Sequence, residues 1–419
     1  MRCNMLLLFS LLSISFCSVC VAESVIGDRK AIELNSRLDS YDCVINYDTI
    51  HLATQEYKDG TISYHKVVGD SLQIINYIKG IKRAGSYWES YFQMANNHTL
   101  IAHASIDNVE RFAKIDVLTG EIVIFRTLAR EGNRFESIKP VGYYSLKNAD
   151  YLVYEDWRYR KFVLSIDNMN RIFSKHYLIE NKNGETLEAK MISKPGRTRN
   201  RYFHSILNHD TLYTVWQEYK KKLFAWADFL PIPYSESFLF SKYDGKNWKE
   251  PLEIKSVELE EHQFEYPIGV YVINEKFFVF WVHSYFKENK SCRDIYYIYS
   301  PDQVNWSQPV QIGESLTQMS FSKDGFWSAV ASSDGILHIL AQGANDRKTK
   351  YYCTFNGYDW RNHGPVIDEL SSDEKLRLDN DGNIFIFWRA GQDFSDKDTE
   401  VQWESNWNKI FYKNIELIN

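Results

Sequence analysis

Cysteine, excess basic charge and long apolar runs are all scarce in this chain, and each scarcity removes a class of protein. Six cysteines occur in 419 residues, and three of them, Cys3, Cys17 and Cys20, fall within the first 22. Of the others, Cys292 lies ten residues before the turn acid Asp302, whereas Cys353 lies three before Asn356, its counterpart one repeat later. At about 3.3 Å per strand residue such offsets keep two thiols apart, so no disulfide framework is expected and stability must come from burial. A net charge of −6 argues against non-specific nucleic-acid binding. Beyond the amino terminus no stretch approaches the roughly 18 uninterrupted apolar residues of a membrane span. There is no C-x-x-C pair, no H-E-x-x-H and no glycine-rich phosphate loop, and His204, His283 and His338 are scattered. Neither a metal nor a cofactor is therefore expected.

What the chain does have begins with "MRCNMLLLFSLLSISFCSVCVA", a basic residue, an apolar run from Met5 to Val21 and a small residue at Ala22. This is a secretory signal pattern over residues 1–22, and it predicts an exported, secreted or periplasmic protein occupying 23–419. Lipid attachment at Cys17 or Cys20 is disfavoured by the bulk of Phe16 and Val19 immediately before them. Aromatics make up 16% of the chain, which suits half-buried strands rather than disorder.

The strands repeat. "FSKYDGKNWKEPLEI" (Phe240 to Ile254), "YSPDQVNWSQPVQI" (Tyr299 to Ile312) and "CTFNGYDWRNHGPVI" (Cys353 to Ile367) each place Asp244, Asp302 or Asn356 four residues before Trp248, Trp306 or Trp360. Before each copy a short turn leads into an alternating strand, as in "HDTLYTVW", "NEKFFVFW", "DGILHILA" and "DGNIFIFW", ending at Trp216, Trp281, Ala341 and Trp388. Each unit is a meander of four strands, and seven such units begin near residues 41, 84, 134, 198, 264, 321 and 374. One such sheet cannot bury both faces alone, so the expected fold is all-β, a single β-propeller of four-stranded antiparallel blades, with seven blades ahead of six. The Asx turn then satisfies local backbone donors, and the tryptophan packs between blades.

The turns "SKYDGKNW", "SPDQVNW" and "TFNGYDW" resemble the Asp-box of sialidase-like propellers, the bacterial neuraminidase repeats, with an Asp-to-Trp interval one residue shorter than usual. That resemblance covers the second half of the chain. It implies a glycan-binding or glycosidase propeller whose site lies over the central channel, on the face opposite these turns. Sialidases hold a carboxylate with three arginines. The Arg-Ile-Pro segment that carries the first of these is missing here, so catalytic residues cannot be transferred from the family.

Topology delivers its own candidates to that front face. Blade starts supply Arg134, in "NRFESI", and Arg201 and His204, in "NRYFHSI"; the ends of second strands supply Asp156, Glu218, His283 and Arg389. The long loop "YKKKLFAWADFLPIPY" brings Trp226, either to flank a ligand or to plug the channel mouth. Converging arginine forks suit an acidic sugar. Hydrolysis would use two carboxyls, and by position these are Asp156 and Glu218. Elimination on a uronic acid would instead use a base such as His204 beside Arg201. A third expectation is a non-catalytic protein partner held by the aromatic loop.

Overall fold

The computed structural model describes residues between 24 and 417, apart from 84–91, 126–135, 162–168, 193–198, 221–234, 259–263, 313–318, 321–327, 391–407 and several shorter loop segments. The signal pattern, Arg134 and Trp226 lie outside the described residues. The fold is an all-β propeller of antiparallel meanders. Among the described residues, six hydrogen-bonded sheets contain seven of them, because two meanders are joined into one nine-stranded sheet by a single parallel pair, Ser174 with Arg199.

In blade I the strands run Leu38–Asn46, Thr49–Glu56, Ile62–Val68 and Ser71–Ile78. Blade II is built on Thr99–Ile106 and Val109–Asp116, blade III on Glu136–Leu146, Ala149–Lys161 and Met169–Lys182. Blade IV comprises Arg199–Asn208, Thr211–Lys220, Ser235–Tyr243 and Leu252–Glu258. Blade V comprises Phe264–Ile273, Lys276–Lys287, Lys290–Ser300 and Val310–Gln311. Blade VI holds Leu337–Gly343, Thr349–Phe355 and Trp360–Asp368, with Met319–Ser320 and Ser328–Ala331 on its inner side. The last blade, VII, runs Ser371–Leu378, Ile384–Ala390 and Lys409–Leu417. Its outer strand comes from the other end of the chain: Ser24–Ile26 and Lys30–Glu33 both pair antiparallel with Lys409–Leu417. This closure latches the ring by joining the two ends of the chain in one sheet.

The core sits between blades. Trp216, Trp281, Ala341 and Trp388, the residues that end the repeated strand pattern, are all buried, each against the preceding blade. Trp248, Trp306 and Trp360 pack at the margins of the same seams. In the turns ahead of them, Asp244 Oδ1 accepts the amides of Lys246 and Asn247, Asp302 Oδ1 those of Val304 and Asn305, and Asn356 Oδ1 those of Tyr358 and Asp359. Asp116, in blade II, makes the same turn with Leu118 and Thr119, although no tryptophan follows it. Local geometry thus survives where the sequence signature has gone.

Cys43 and Cys353 are both buried, in different seams, and burial pushes both thiols up to about 12. His338 is an internal packing residue, stacked on Tyr352 and bonded to its hydroxyl at 2.7 Å. Among the described residues no helix is long and apolar enough to cross a membrane.

Candidate functional site between blades IV and V

In an antiparallel meander the first-to-second and third-to-fourth turns share one face. The second-to-third loops and the blade connections share the other, here called the front. Among the described residues, the inner strand breaks register in its front half in five blades: at Leu38/Ser40, Pro140/Gly142, Arg201/His204, Pro267/Gly269 and Ser372/Lys375. Bulges bend a strand and re-aim its side chains, and here they recur beside the channel mouth. In blades III and V the bulge carries a shared pattern, "PVGYY" at Pro140 and "PIGVY" at Pro267. The glycine has no Cβ because the ring two residues on, Tyr144 or Tyr271, lies over it. In blade IV the bulge holds Tyr202 at φ +52, a left-handed conformation that an aromatic residue adopts only when its surroundings impose it.

The bulged ends of blades IV and V enclose a polar network. Gln217 is fully buried, and its Nε2 donates to the Glu236 carboxylate and to the Glu265 carbonyl, both at 2.5 Å. The Glu265 carboxylate accepts from His283 Nδ1 at 3.0 Å and from the Lys255 ammonium. Lys255 Nζ also lies 4.4 Å from the Trp281 ring centre, which satisfies a cation taken partly out of water. Burial works to raise the Glu265 carboxyl, but the bonds from His283 and Lys255 outweigh it and hold the group below its usual value. Burial pushes the Lys255 ammonium below the usual lysine range, against the pull of Glu265 and Glu236. Tyr296, 6.2 Å from His283 between ring centres, has its phenol raised by burial and then by the Asp294 and Glu265 charges.

Because a carboxylate can only accept, His283 Nδ1 must carry the proton in that bond, and whenever the ring is neutral Nε2 is its lone pair. The His283 side chain is 21% exposed, against 8% for Glu265, so a fixed buried acid stands behind a reachable imidazole. This arrangement suits a general base held in one tautomer.

Of the residues chosen from sequence, Arg201, Glu218 and His283 stand near the front ends of strands in blades IV and V, and His204 stands mid-strand in blade IV just past the bulge. Arg201 stands opposite Gln217 in register, and Glu218 opposite Asn200 and Ser237. Glu218 is buried, with Oε2 lacking a hydrogen-bond partner among the described residues. His204 Nε2 lies 3.1 Å from the Pro267 carbonyl, so that nitrogen is a donor and is not available as a base. Asp156 stands on the second strand of blade III opposite Ile138 and Lys175, and its side chain lies outside the described residues. Arg389 sits elsewhere, at the seam of blades VII and I. It is 3% exposed, paired with Asp373, and donates to the Leu38 and Asp39 carbonyls.

Sequence reasoning passed over Gln217, Glu236, Lys255 and Glu265. The shared "P-x-G-x-Y" pattern would have marked the bulge and, two residues before Pro267, Glu265. Among the described residues no three His, Cys, Asp or Glu side chains are grouped to hold a metal ion.

The sequence matches no known family profile and no curated protein. Solved structures do match. One is the polysaccharide lyase Uly1, 7% identical over 92% of this chain and 91% of that one, with a TM-score of 0.52. Another is a Mycobacterium tuberculosis puromycin-hydrolysing peptidase, 10% identical over 85% of this chain and 50% of that one, with a TM-score of 0.50. A mutant Aleuria aurantia lectin in complex with Fucα1-6GlcNAc is 10% identical over 81% of this chain and 98% of that one, at a TM-score of 0.41. At these identities the likeness is one of fold.

Proposed function

We propose that this chain is an exported β-propeller that recognises a saccharide at its front face, and that His283, backed by Glu265, supplies acid–base chemistry there. The observation that carries the proposal is the bond from His283 Nδ1 to a carboxylate held ionised by Lys255. The chemistry that one such base can begin on a uronate-bearing polysaccharide is elimination. Nε2 takes the proton beside the uronate carboxylate, its electrons form the new double bond, the glycosidic C–O bond breaks, and the leaving oxygen is protonated from solvent. Arg201 and Arg134 have the chemistry to hold the uronate carboxylate, and Trp226 to flank the ring. A likeness spanning nearly the full length of a propeller whose name is polysaccharide lyase is in keeping with this.

Hydrolysis in the manner of the sialidase-like family is the second reading. It is favoured by Glu218, a buried carboxyl with an oxygen left unpartnered. It needs a second carboxyl across the bond, for which Asp156 is the positional choice.

The test is to incubate the purified chain with uronate-containing, sialylated and neutral glycans, reading ultraviolet absorbance for unsaturated ends and reducing sugar for any cleavage. Unsaturated product, lost by about 10²-fold or more in His283→Ala, establishes the elimination. Glu265→Gln should lower kcat with little change in KM, as befits a positioning residue. Reducing ends without unsaturation, abolished by Glu218→Gln, would replace elimination with hydrolysis. Binding without turnover leaves a lectin-like module, and silence on every glycan turns the front face over to a protein partner.

A further inference from the structure

Seven residues other than glycine hold a positive φ among the described residues. Five of them, Tyr47, His209, Asn274, Glu275 and Gln303, lie in tight turns, where a left-handed backbone belongs to the turn itself. The other two, Tyr202 and Asp373, lie inside inner strands, each at the bulge of its blade. Asp373 shows what such a kink achieves, because its carboxylate is aimed at the guanidinium of Arg389. Aspartate tolerates this region of backbone space far better than an aromatic residue does. Tyr202 is therefore the costlier of the two.

The bulge sets two residues, Tyr202 and Phe203, against Trp216 alone. Phe203 enters the seam with blade III and stacks on Trp216, ring centres 5.9 Å apart. Tyr202 leaves its own blade. Its ring lies 5.2 Å from that of Tyr266, on the inner strand of blade V, and packs against the core between blades V and VI. The two inner strands are tied at the same level by the bond from His204 to the Pro267 carbonyl. Glu265, the acid behind His283, directly precedes Tyr266. A side chain that reaches the far side of the neighbouring inner strand runs along the channel wall, and Tyr202 remains partly exposed there.

Packing does not account for the conformation. A tilted pair of rings returns about what a left-handed aromatic residue costs and no more, and asparagine would fill the kink with less strain. What asparagine would not supply is a flat apolar face at the channel wall, one residue from the network that backs His283. Pyranose rings carry C–H groups on their faces, and an aromatic face is the surface that receives them.

We propose that Tyr202 is the platform on which a bound saccharide lays one of its rings, held out of a relaxed backbone so that its own ring faces the channel beside Glu265 and His283. The inference rests on the saccharide reading of the front face. It adds to that reading a residue that grips the substrate and takes no part in proton transfer.

The experiment measures chemical denaturation, together with binding and cleavage of alginate, polygalacturonate and neutral glucan oligomers, for the parent chain, Tyr202→Asn, Tyr202→Phe and His283→Ala. Tyr202→Asn removes the strain along with the ring, so its unfolding midpoint should equal or exceed the parent's. Its binding should weaken by about tenfold or more, seen in any cleavage as a raised KM with kcat nearly unchanged. Tyr202→Phe keeps the face and should bind within about twofold of the parent. His283→Ala should do the reverse of Tyr202→Asn, losing kcat and keeping binding. A midpoint well below the parent's in Tyr202→Asn makes the residue a packing element and overturns the inference, whatever the ligand. Weak binding by Tyr202→Phe would assign the effect to the hydroxyl and not to the ring face, which also overturns it. Equal binding by the parent and Tyr202→Asn sinks this inference alone and leaves the saccharide reading standing, whereas a parent that binds none of the oligomers removes both.

Discussion

The carboxylate of Asp42, on the inner strand of blade I, accepts a hydrogen bond from the guanidinium of Arg377 on the inner strand of blade VII. Asp42 also accepts the Met94 amide of blade II at 2.7 Å, and Lys375 Nζ lies 3.6 Å away. One 1%-exposed carboxyl therefore ties three consecutive blades across the point where the ring closes. Burial alone would raise it, but Arg377, Lys375 and the amide hold it below its usual value. Removing one partner of such a pair leaves a buried charge uncompensated. Asp42→Ala should cost about 3–5 kcal/mol in denaturant unfolding. The double variant with Arg377→Ala should lose clearly less than the two single losses combined, and strict additivity would show that the pair does not latch the ring.

Acid should loosen the fold in two stages. Burial pushes His65 and His338 down to about 4, so both are neutral in the folded chain at neutral pH. Unfolded, each returns to about 6.5, and between these values the unfolded chain binds more protons. Stability from these residues is thus complete above about pH 6.5 and lost as pH falls toward 4, by up to about 3 kcal/mol each. Asp42 and Glu265, whose carboxyls are lowered in the fold, lose their contribution below that window. Thermal unfolding from pH 7.5 to 4.5 should show a falling midpoint, and His338→Gln should flatten its slope. A midpoint constant down to pH 5 would refute the assignment.

Asp302 works on the opposite face from the proposed site. Its carboxyl is driven far below the usual range, first by the Asn305 and Val304 amides. Asp302→Ala should lower the unfolding midpoint slightly and leave glycan binding and any turnover at the parent level. A large loss of activity in a folded variant would place the site on the wrong face.

Gly269 and Gly142 should refuse a methyl group. A Cβ at either would run into the ring of Tyr271 or Tyr144, and both rings are packed in place at the bulge. Gly269→Ala is expected to cost about 1–3 kcal/mol by overpacking, with partial recovery in the double variant carrying Tyr271→Leu. The check is chemical denaturation of both.

Much of the architecture was legible without coordinates. Units expected near residues 41, 84, 134, 198, 264, 321 and 374 meet inner strands beginning at 38, 82, 136, 199, 264, 319 and 371. Alternation and Asx turns are properties of a few neighbouring residues, so they survive in the order of the chain. The candidate site was legible only as strand-end positions. Strand ends pointed to His283 and Glu218, but Arg389, which occupies a similar strand-end position, proved to belong to the closure seam.

By itself, then, the sequence determined the strand period, the turns and the tryptophans between blades, because short-range sterics and hydrogen bonding write these locally. Only the tertiary structure decided that residues 24–33 latch residues 409–417, that Lys255 on an outer strand reaches Glu265 on the next inner one, and that the buried His65 Nδ1 is left without a hydrogen-bond partner among the described residues. Those are meetings between segments whose separation along the chain has no period, and they come into being only when the ring closes.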